Sequence, residues 1–274
     1  HSNNRINANI LCLLAAKKSD VAYIQHQRMF ENNLSITAKI LKNYPKYYIS
    51  ISESISKNVK EKINISDRKN KLIHNWINTD EFKSNCRTST HKIFKILWVG
   101  RIVPWKGLDV LINIASHLKN NDFGQFEIDV FGDFDDYNYK KLLDDMIIKL
   151  ELTQIINFKG FKLFEYIDKS EYKLYLHTSK TPEPFGRTII ENMLAEIPVF
   201  ATKMGGVLDI ITHKENGFLY NHKNYKDITP FIKEIKSNNK FIEKLIYNAK
   251  MTIIKKFSGL EQIKMIEQIY NNIG

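Results

Sequence analysis

Apolar side chains along this chain switch between a helical and a strand period at intervals of 10 to 20 residues. Ile6, Ile10, Leu13 and Leu14 recur at helical spacing over 3–18, and 21–24 then reads as a short buried strand. The alternation predicts a helix over 34–42, a strand over 47–51, a helix over 53–62 with Ser52 as N-cap, and a strand over 71–74. Three strands are fewer than a doubly wound sheet needs, so this region is expected to be the rear of a domain whose front lies elsewhere. Residues 76–92 are polar and aperiodic, as in an interdomain linker. A second series then begins. Strands are predicted at 96–99, 127–131, 155–158, 173–176, 199–201 and 218–220, with helices at 107–118, 139–150, 186–195 and 207–211. Six strands with helical crossovers predict an α/β fold, a parallel sheet covered on both faces. From Tyr225 onward the pattern is helical, ending over 260–270.

Composition fits this picture. The 274 residues are 43% hydrophobic and 26% charged, which excludes disordered, collagen-like and coiled-coil chains. The net charge of +11 is uneven: residues 1–92 carry 16 basic and 7 acidic side chains, and residues 93–274 carry 25 and 23. The basic first third suggests an anionic partner, either nucleic acid or a membrane surface. Cys12 and Cys86 are too few for a disulfide framework, so a reducing cytosol is expected. The longest early apolar run, 10–16, can neither span a bilayer nor serve as a signal peptide, so any membrane contact is expected to be peripheral. The start without Met is expected of a processed, tagged or partial chain.

In an open parallel sheet, ligands bind where strand ends lead into helix N-termini. Gly100, Arg101, Lys106 and Gly107 follow one such strand and offer two cations and backbone N–H groups to a diphosphate. Read alone, both cations are more simply solvated, although an anion would offset the unfavourable position of Lys106 at a helix start. A second segment carries Glu183 and Glu191, eight apart, either of which could accept sugar hydroxyls. The N–H groups of Phe185, Gly186 and Arg187 between them open a helix and can face a phosphate. Taken singly, Glu191 is a surface helical glutamate and Glu183 a first-turn acid, but four such features on one sheet edge are unlikely to coincide. Asp133-Phe134-Asp135 reads as a turn with a helix-start charge, not a metal motif, and no Cys/His cluster is present.

Together, Gly100-Arg101-x4-Lys106-Gly107, Glu183-x7-Glu191, Pro198-Val199, Gly205-Gly206 and Asn216-Gly217-Phe218-Leu219 resemble the retaining GT-B glycosyltransferases of family 4, the "group 1" glycosyltransferases. The resemblance runs from residue 71 to about 222, and 49–54 and 73–82 look like the end of that family's N-terminal domain. Asn75-Trp76 and Asn78 depart from the usual interdomain loop, and Asp209 stands where Glu is common.

The resemblance implies a GT-B fold: a complete C-terminal Rossmann-like, doubly wound donor domain over 93–256 and a partial N-terminal Rossmann-like domain over 1–75. A linker over 76–92 joins them, and a helix over 257–274 packs back on the N-terminal domain. It implies a catalytic set of Arg101 and Lys106 on the diphosphate, Glu183 on sugar hydroxyls, and His26, following its strand, beside the donor sugar. Gly100, Phe185, Gly186, Arg187, Gly205, Gly206 and Val207 would complete donor binding, with Glu191 on the ribose. The implied reaction moves a hexose-type sugar from a nucleotide-diphosphate sugar to a saccharide or lipid-linked acceptor, with no cofactor, metal or enzymatic nucleophile. The setting would be bacterial O-antigen or capsule synthesis at the cytoplasmic face of the inner membrane, with peripheral contact to anionic lipid. Two other readings are a GT-B nucleotide-sugar epimerase, which the Glu-x7-Glu spacing disfavours, and a basic nucleic-acid-binding module, for which no recognition signature is present.

Overall fold

Strands joined through helices return to the same end of a sheet, so they pair in parallel. In the computed structural model, which describes residues 1–79 and 93–273, every pairing between named strands is parallel. The chain divides into two compact units: His1–Asn78 with Glu183–Gly186 and Phe257–Gly274, and Thr79–Pro182 with Arg187–Lys256.

The first unit holds a sheet in the order β1 (Ser2–Asn3), β2 (Ile24–Gln27), β3 (Tyr47–Ser50), β4 (Asn70–Leu72). Helices α1 (Ile10–Lys18), α2 (Ile36–Leu41) and α3 (Glu53–Asn58) connect them. Ser35 and Ser52 cap α2 and α3, each accepting from a backbone N–H 3.2 Å away. Ile24, Ile49 and Ile73 form an apolar cluster with Ile269 of the C-terminal helix Gly259–Asn271.

The first unit differs from expectation in five ways. The strand expected over 21–24 starts only at Ile24 and runs through Gln25, His26 and Gln27. All three are buried, and the glutamines are satisfied there: Gln25 donates to the Asn4 carbonyl at 2.8 Å and Gln27 to that of Met29 at 3.0 Å. His26 therefore lies inside a strand, not after it. A fourth strand, Ser2–Asn3, is too short to show any period. The first helix begins at Ile10, after a 3-10 turn over Asn7–Asn9. The helix expected over 53–62 passes into a π turn, Val59–Ile63, closed by Asn64 in the left-handed region. Residues 76–78, expected to begin the linker, are anchored: Ile77 N–H bonds the Phe257 carbonyl at 3.0 Å, and Gly259 sits against the Trp76 ring. The rest of that segment, 80–92 with Cys86, lies outside the described residues.

The second unit has the six expected strands: β5 (Phe94–Val99), β6 (Phe126–Phe131), β7 (Ile156–Gly160), β8 (Tyr172–His177), β9 (Val199–Thr202) and β10 (Phe218–Tyr220). The sheet order is β10-β9-β8-β5-β6-β7. Helices α4 (Leu108–Asn120), α5 (Tyr137–Lys149), α6 (Arg187–Leu194), α7 (Val207–Ile210), α8 (Thr229–Ser237) and α9 (Asn239–Phe257) follow, and Gly259–Asn271 is α10. Ile96, Leu111, Ile128, Leu174 and Phe200, all fully buried, belong to its core. No helix among the described residues is long and apolar enough to cross a membrane.

Strand order reverses between β5 and β8, the position at which open α/β sheets form a ligand crevice. The loops leaving these two strands are fastened together there. Gly107 is left-handed (φ 70°), and a Cβ on it would lie 2.1 Å from the Thr178 carbonyl oxygen. The Trp98 indole N–H donates to Thr178 Oγ1 at 3.0 Å, Thr178 Oγ1 donates to the Lys106 carbonyl at 3.0 Å, and Lys180 N–H bonds the Trp105 carbonyl at 2.8 Å.

Two stability predictions follow. Gly107→Ala adds both a left-handed penalty and a backbone clash, so it costs about 2 kcal/mol or more; an unchanged denaturant midpoint would contradict the close approach. His26 is only 5% exposed, its ring stacks on His1, and its Nε2 has no hydrogen-bond partner among the described residues. Burial, and then the charge of Arg28, push its pKa down to about 4. Between pH 6.5 and 4 the unfolded state binds a proton there and the folded state does not. Stability therefore falls as pH falls through that window, by roughly 3 kcal/mol, and this contribution levels off below it. In His26→Gln that share of the slope vanishes, so the variant gains on the parent as pH drops; parallel stability profiles would refute the assignment.

Candidate functional site

The loop after β5 is held from below by the loop after β6. Gly100 N–H bonds the Phe131 carbonyl at 3.0 Å and Ile102 N–H bonds that of Asp133 at 2.9 Å. A Cβ on Gly132 would stand 1.9 Å from the Gly100 carbonyl oxygen, so glycine is required for this approach. The result presents Arg101 to solvent, 67% exposed, with Asp135 3.5 Å away. The triplet Asp133-Phe134-Asp135 is expected to be a turn with a helix-start charge. The α5 cap is instead Asp136, which accepts from the N–H groups of Asn138 and Tyr139, leaving Asp135 to balance Arg101. Lys106 closes the turn Pro104–Lys106, and its ammonium lies 4.4 Å from the centre of the Trp105 ring.

Behind this loop, Asp109 in the first turn of α4 accepts from the Tyr139 hydroxyl at 2.9 Å and pairs with Lys180 at 3.0 Å. Periodicity gave no reason to single out Trp98, Thr178, Lys180 or Asp109. Each looks ordinary in its own segment, and only the adjacency of β5 and β8 brings them together.

On α6, Arg187 Nε donates to Glu191 Oε1 at 2.9 Å. Glu191 is only 13% exposed, which excludes the reading of a solvated surface glutamate. Burial raises its pKa, against the opposing charges of Arg187 and Lys169. Lys169 is itself held by the Glu165 carbonyl at 2.9 Å and lies over the Phe164 ring. After β9, Gly205 is left-handed (φ 65°) and Gly206 is the N-cap of α7. Val207 is fully buried, so its side chain belongs to the core and only its backbone is available to a ligand. Gly100, Arg101, Lys106, Arg187, Glu191, Gly205, Gly206 and Val207 thus all follow carboxyl ends of strands in the second sheet.

Glu183, Phe185, Gly186 and His26 belong to the first unit. There the Pro184 carbonyl accepts from Ser52 Oγ at 2.6 Å, and Phe185 is buried beside His74 and Phe257. Phe185 can therefore offer a ligand its backbone but not its ring. Gly186 has φ 110°, and Glu183 is half-buried. Among the described residues no three His, Cys, Asp or Glu side chains are grouped closely enough to hold a metal ion.

The family profile "Glycosyl transferases group 1" matches residues 79–252, most of the second unit. Among curated proteins, the chain is 28% identical to the uncharacterized glycosyltransferase MJ1607 of Methanocaldococcus jannaschii, over 81% of this chain and 59% of that protein. It is 24% identical to the capsular polysaccharide biosynthesis glycosyltransferase CapM of Staphylococcus aureus, over 80% of this chain and 60% of that one. The chain spans roughly half the length of the curated relatives it matches. Among solved structures, Anabaena Alr3699/HepE in complex with UDP superposes with a TM-score of 0.88 at 22% identity, over 98% of this chain and 77% of that one. A glycosyltransferase from Rickettsia africae ESF-5 gives 0.80 at 22% identity, over 98% and 81%. The fold is GT-B, with parallel sheets in two Rossmann-like domains, and the chain belongs to the glycosyl transferases group 1.

Proposed function

We propose that this chain carries the donor-binding machinery of a retaining, family 4 glycosyltransferase. It moves a hexose-type sugar from a nucleotide-diphosphate sugar to a saccharide or lipid-linked acceptor. The observation that carries this reading is the placement of Arg101 and Lys106 on one loop, fixed at the reversal point of the second sheet. An exposed guanidinium balanced by one surface carboxylate exchanges that partner for a phosphate at little cost, because such ion pairs are worth about 0–1 kcal/mol.

In this mechanism the bond from the anomeric carbon to the diphosphate oxygen breaks as the acceptor oxygen bonds the same face of the sugar. The departing diphosphate takes the acceptor's proton, and its growing negative charge is met by Arg101 and Lys106. Glu191, held in place by Arg187, accepts the ribose hydroxyls. The N–H groups of Gly205, Gly206 and Val207 line the phosphate or sugar, with Gly100 and the backbone of Phe185, Gly186 and Arg187 adding donor contacts. Glu183 accepts sugar hydroxyls, and His26, neutral at pH 7, hydrogen-bonds the sugar. The transfer needs no metal or cofactor.

Several relatives support the donor class and the setting. HepE is described in complex with UDP-glucose, CapM is named for capsular polysaccharide biosynthesis, and a further relative is a poly(ribitol-phosphate) alpha-N-acetylglucosaminyltransferase of Staphylococcus aureus. We therefore place the enzyme in assembly of a bacterial surface polysaccharide such as O-antigen or capsule, at the cytoplasmic face of the inner membrane, with no role for nucleic acid.

Thermal-shift screening against UDP, GDP and ADP sugars identifies the donor, and stabilisation by none of them defeats the proposal. In the full-length enzyme, Arg101→Ala or Lys106→Ala lowers kcat about 100-fold or more while the fold persists, in line with the roughly 3–4 kcal/mol lost when one preorganised group facing developing charge is removed. Near-wild-type turnover in both variants rules out the diphosphate assignment. The product keeps the donor's anomeric configuration by NMR, and EDTA leaves the rate unchanged; inversion or metal dependence would each exclude this mechanism.

A further inference from the structure

His177 ends β8 and takes no part in the proposed transfer. It is only 4% exposed, so its ring is not offered to a ligand. The ring instead joins two loops of the second unit. Nε2 lies 3.1 Å from Ser179 Oγ in the loop leaving β8, and Nδ1 lies 3.3 Å from Thr202 Oγ1 at the end of β9. Ser179 and Thr202 are themselves buried. A neutral imidazole donates from one nitrogen and accepts at the other, and each hydroxyl can turn to match, so both ends are served in either tautomer. The Tyr220 hydroxyl donates to the His177 carbonyl at 3.0 Å, which holds the backbone from the β10 side.

Each end of this bridge leads to candidate donor groups. Ser179 stands between Thr178, whose hydroxyl donates to the Lys106 carbonyl, and Lys180, whose N–H bonds the Trp105 carbonyl. On the other side, Met204 N–H bonds the Thr202 carbonyl at 2.8 Å, and the next two residues are Gly205 and Gly206. The register of β8 and β9 runs only as far as His177 and Ala201. Beyond that point the imidazole continues the tie between the two loops. Groups that share one diphosphate need their separation fixed closely, since a misplacement of about 1 Å can cost roughly 100-fold.

We propose that His177 is a positioning residue: by bridging Ser179 to Thr202 it sets the distance between the loop of Lys106 and the glycine pair 205–206, and so governs affinity for the donor's diphosphate. The inference rests on the donor-site reading.

The test titrates UDP, GDP and ADP into the protein by calorimetry and carries the tightest binder through the variants. A parent that binds none of them defeats the donor reading and this inference with it; a parent that binds, with affinity unchanged in the variants, defeats this inference alone. Ser179→Ala and Thr202→Val each weaken binding about tenfold, and the double variant also loses about tenfold, because releasing either end breaks the bridge. Additive losses of about 100-fold would overturn the proposal. His177→Asn and His177→Gln, whose amides can each replace only one ring nitrogen, match the single hydroxyl deletions, whereas Thr202→Ser keeps the hydroxyl and the parent affinity. Thermal unfolding identifies any variant that has lost the fold. One readout needs no variant: with 15N-labelled histidine, the His177 ring resonances shift when the nucleotide saturates the parent, although the ring touches none of it. Ring resonances indifferent to the bound nucleotide refute the coupling.

Discussion

The contact between Gly107 and the Thr178 carbonyl is the constraint on which the second unit's candidate site depends. It sets how closely the loop leaving β5 approaches the loop leaving β8. Thr178 then uses its hydroxyl twice, accepting from Trp98 and donating to the Lys106 carbonyl. A buried indole N–H and a turn carbonyl are both satisfied by one side chain, with no polar group left over. Lys106 is thereby fixed by its backbone while its ammonium rests on Trp105. Arg101 is fixed on the other side, through the glycine at 132 and the backbone bonds to Phe131 and Asp133. The two cations sit on a loop immobilised on both flanks, which suits a group meant to meet charge that develops during reaction.

The charged groups of this unit divide into two kinds. Asp109, with Lys180 and Tyr139, is a partly buried triad that ties helix starts to the crossover loop and serves structure. Arg101 and Asp135 are open to water, so their pairing is easily given up. Glu191 lies between these extremes: it is mostly out of solvent, yet paired with an exposed arginine. A carboxylate held this way keeps a fixed direction and gains most when hydroxyl donors replace the water it has lost.

The sheet of the second unit was legible because its strands are runs of aliphatic and aromatic residues bounded by turns. The helix starting at Arg187 and the glycines of its neighbouring loops were legible for the same reason, as local signals. Two kinds of feature were not. Gln25, His26 and Gln27 form a buried strand in which the two glutamine side chains find backbone carbonyls and the histidine stacks on His1, and no hydrophobic period can reveal such a strand. The partners of Gly107 and Arg101 lie at Thr178 and Asp135, so the reason for each residue sits in another part of the chain. Phe185 and Val207 show the converse: both follow strands as read from the sequence, but burial turns their side chains inward and leaves only the backbone to a ligand.

The reversal in strand order also governs how the second unit can assemble. In the first unit every strand pairs with its successor, so each pairing closes a loop of one crossover. In the second, β5 must hold a place open for β8 while β6 and β7 form on its other side. That pairing joins strands separated by β6, β7 and three connections, and the entropy of closing so long a loop must be met before its contacts stabilise anything. The edge of β5 that faces β8 is therefore covered only after β6, β7 and β8 have all been made, and the loop of Arg101 and Lys106 leaves the carboxyl end of that same strand. The loop of Arg101 and Lys106 is fastened to the loop after β8 only where that long-range pairing exists, and a chain without it would present the two cations without that geometry.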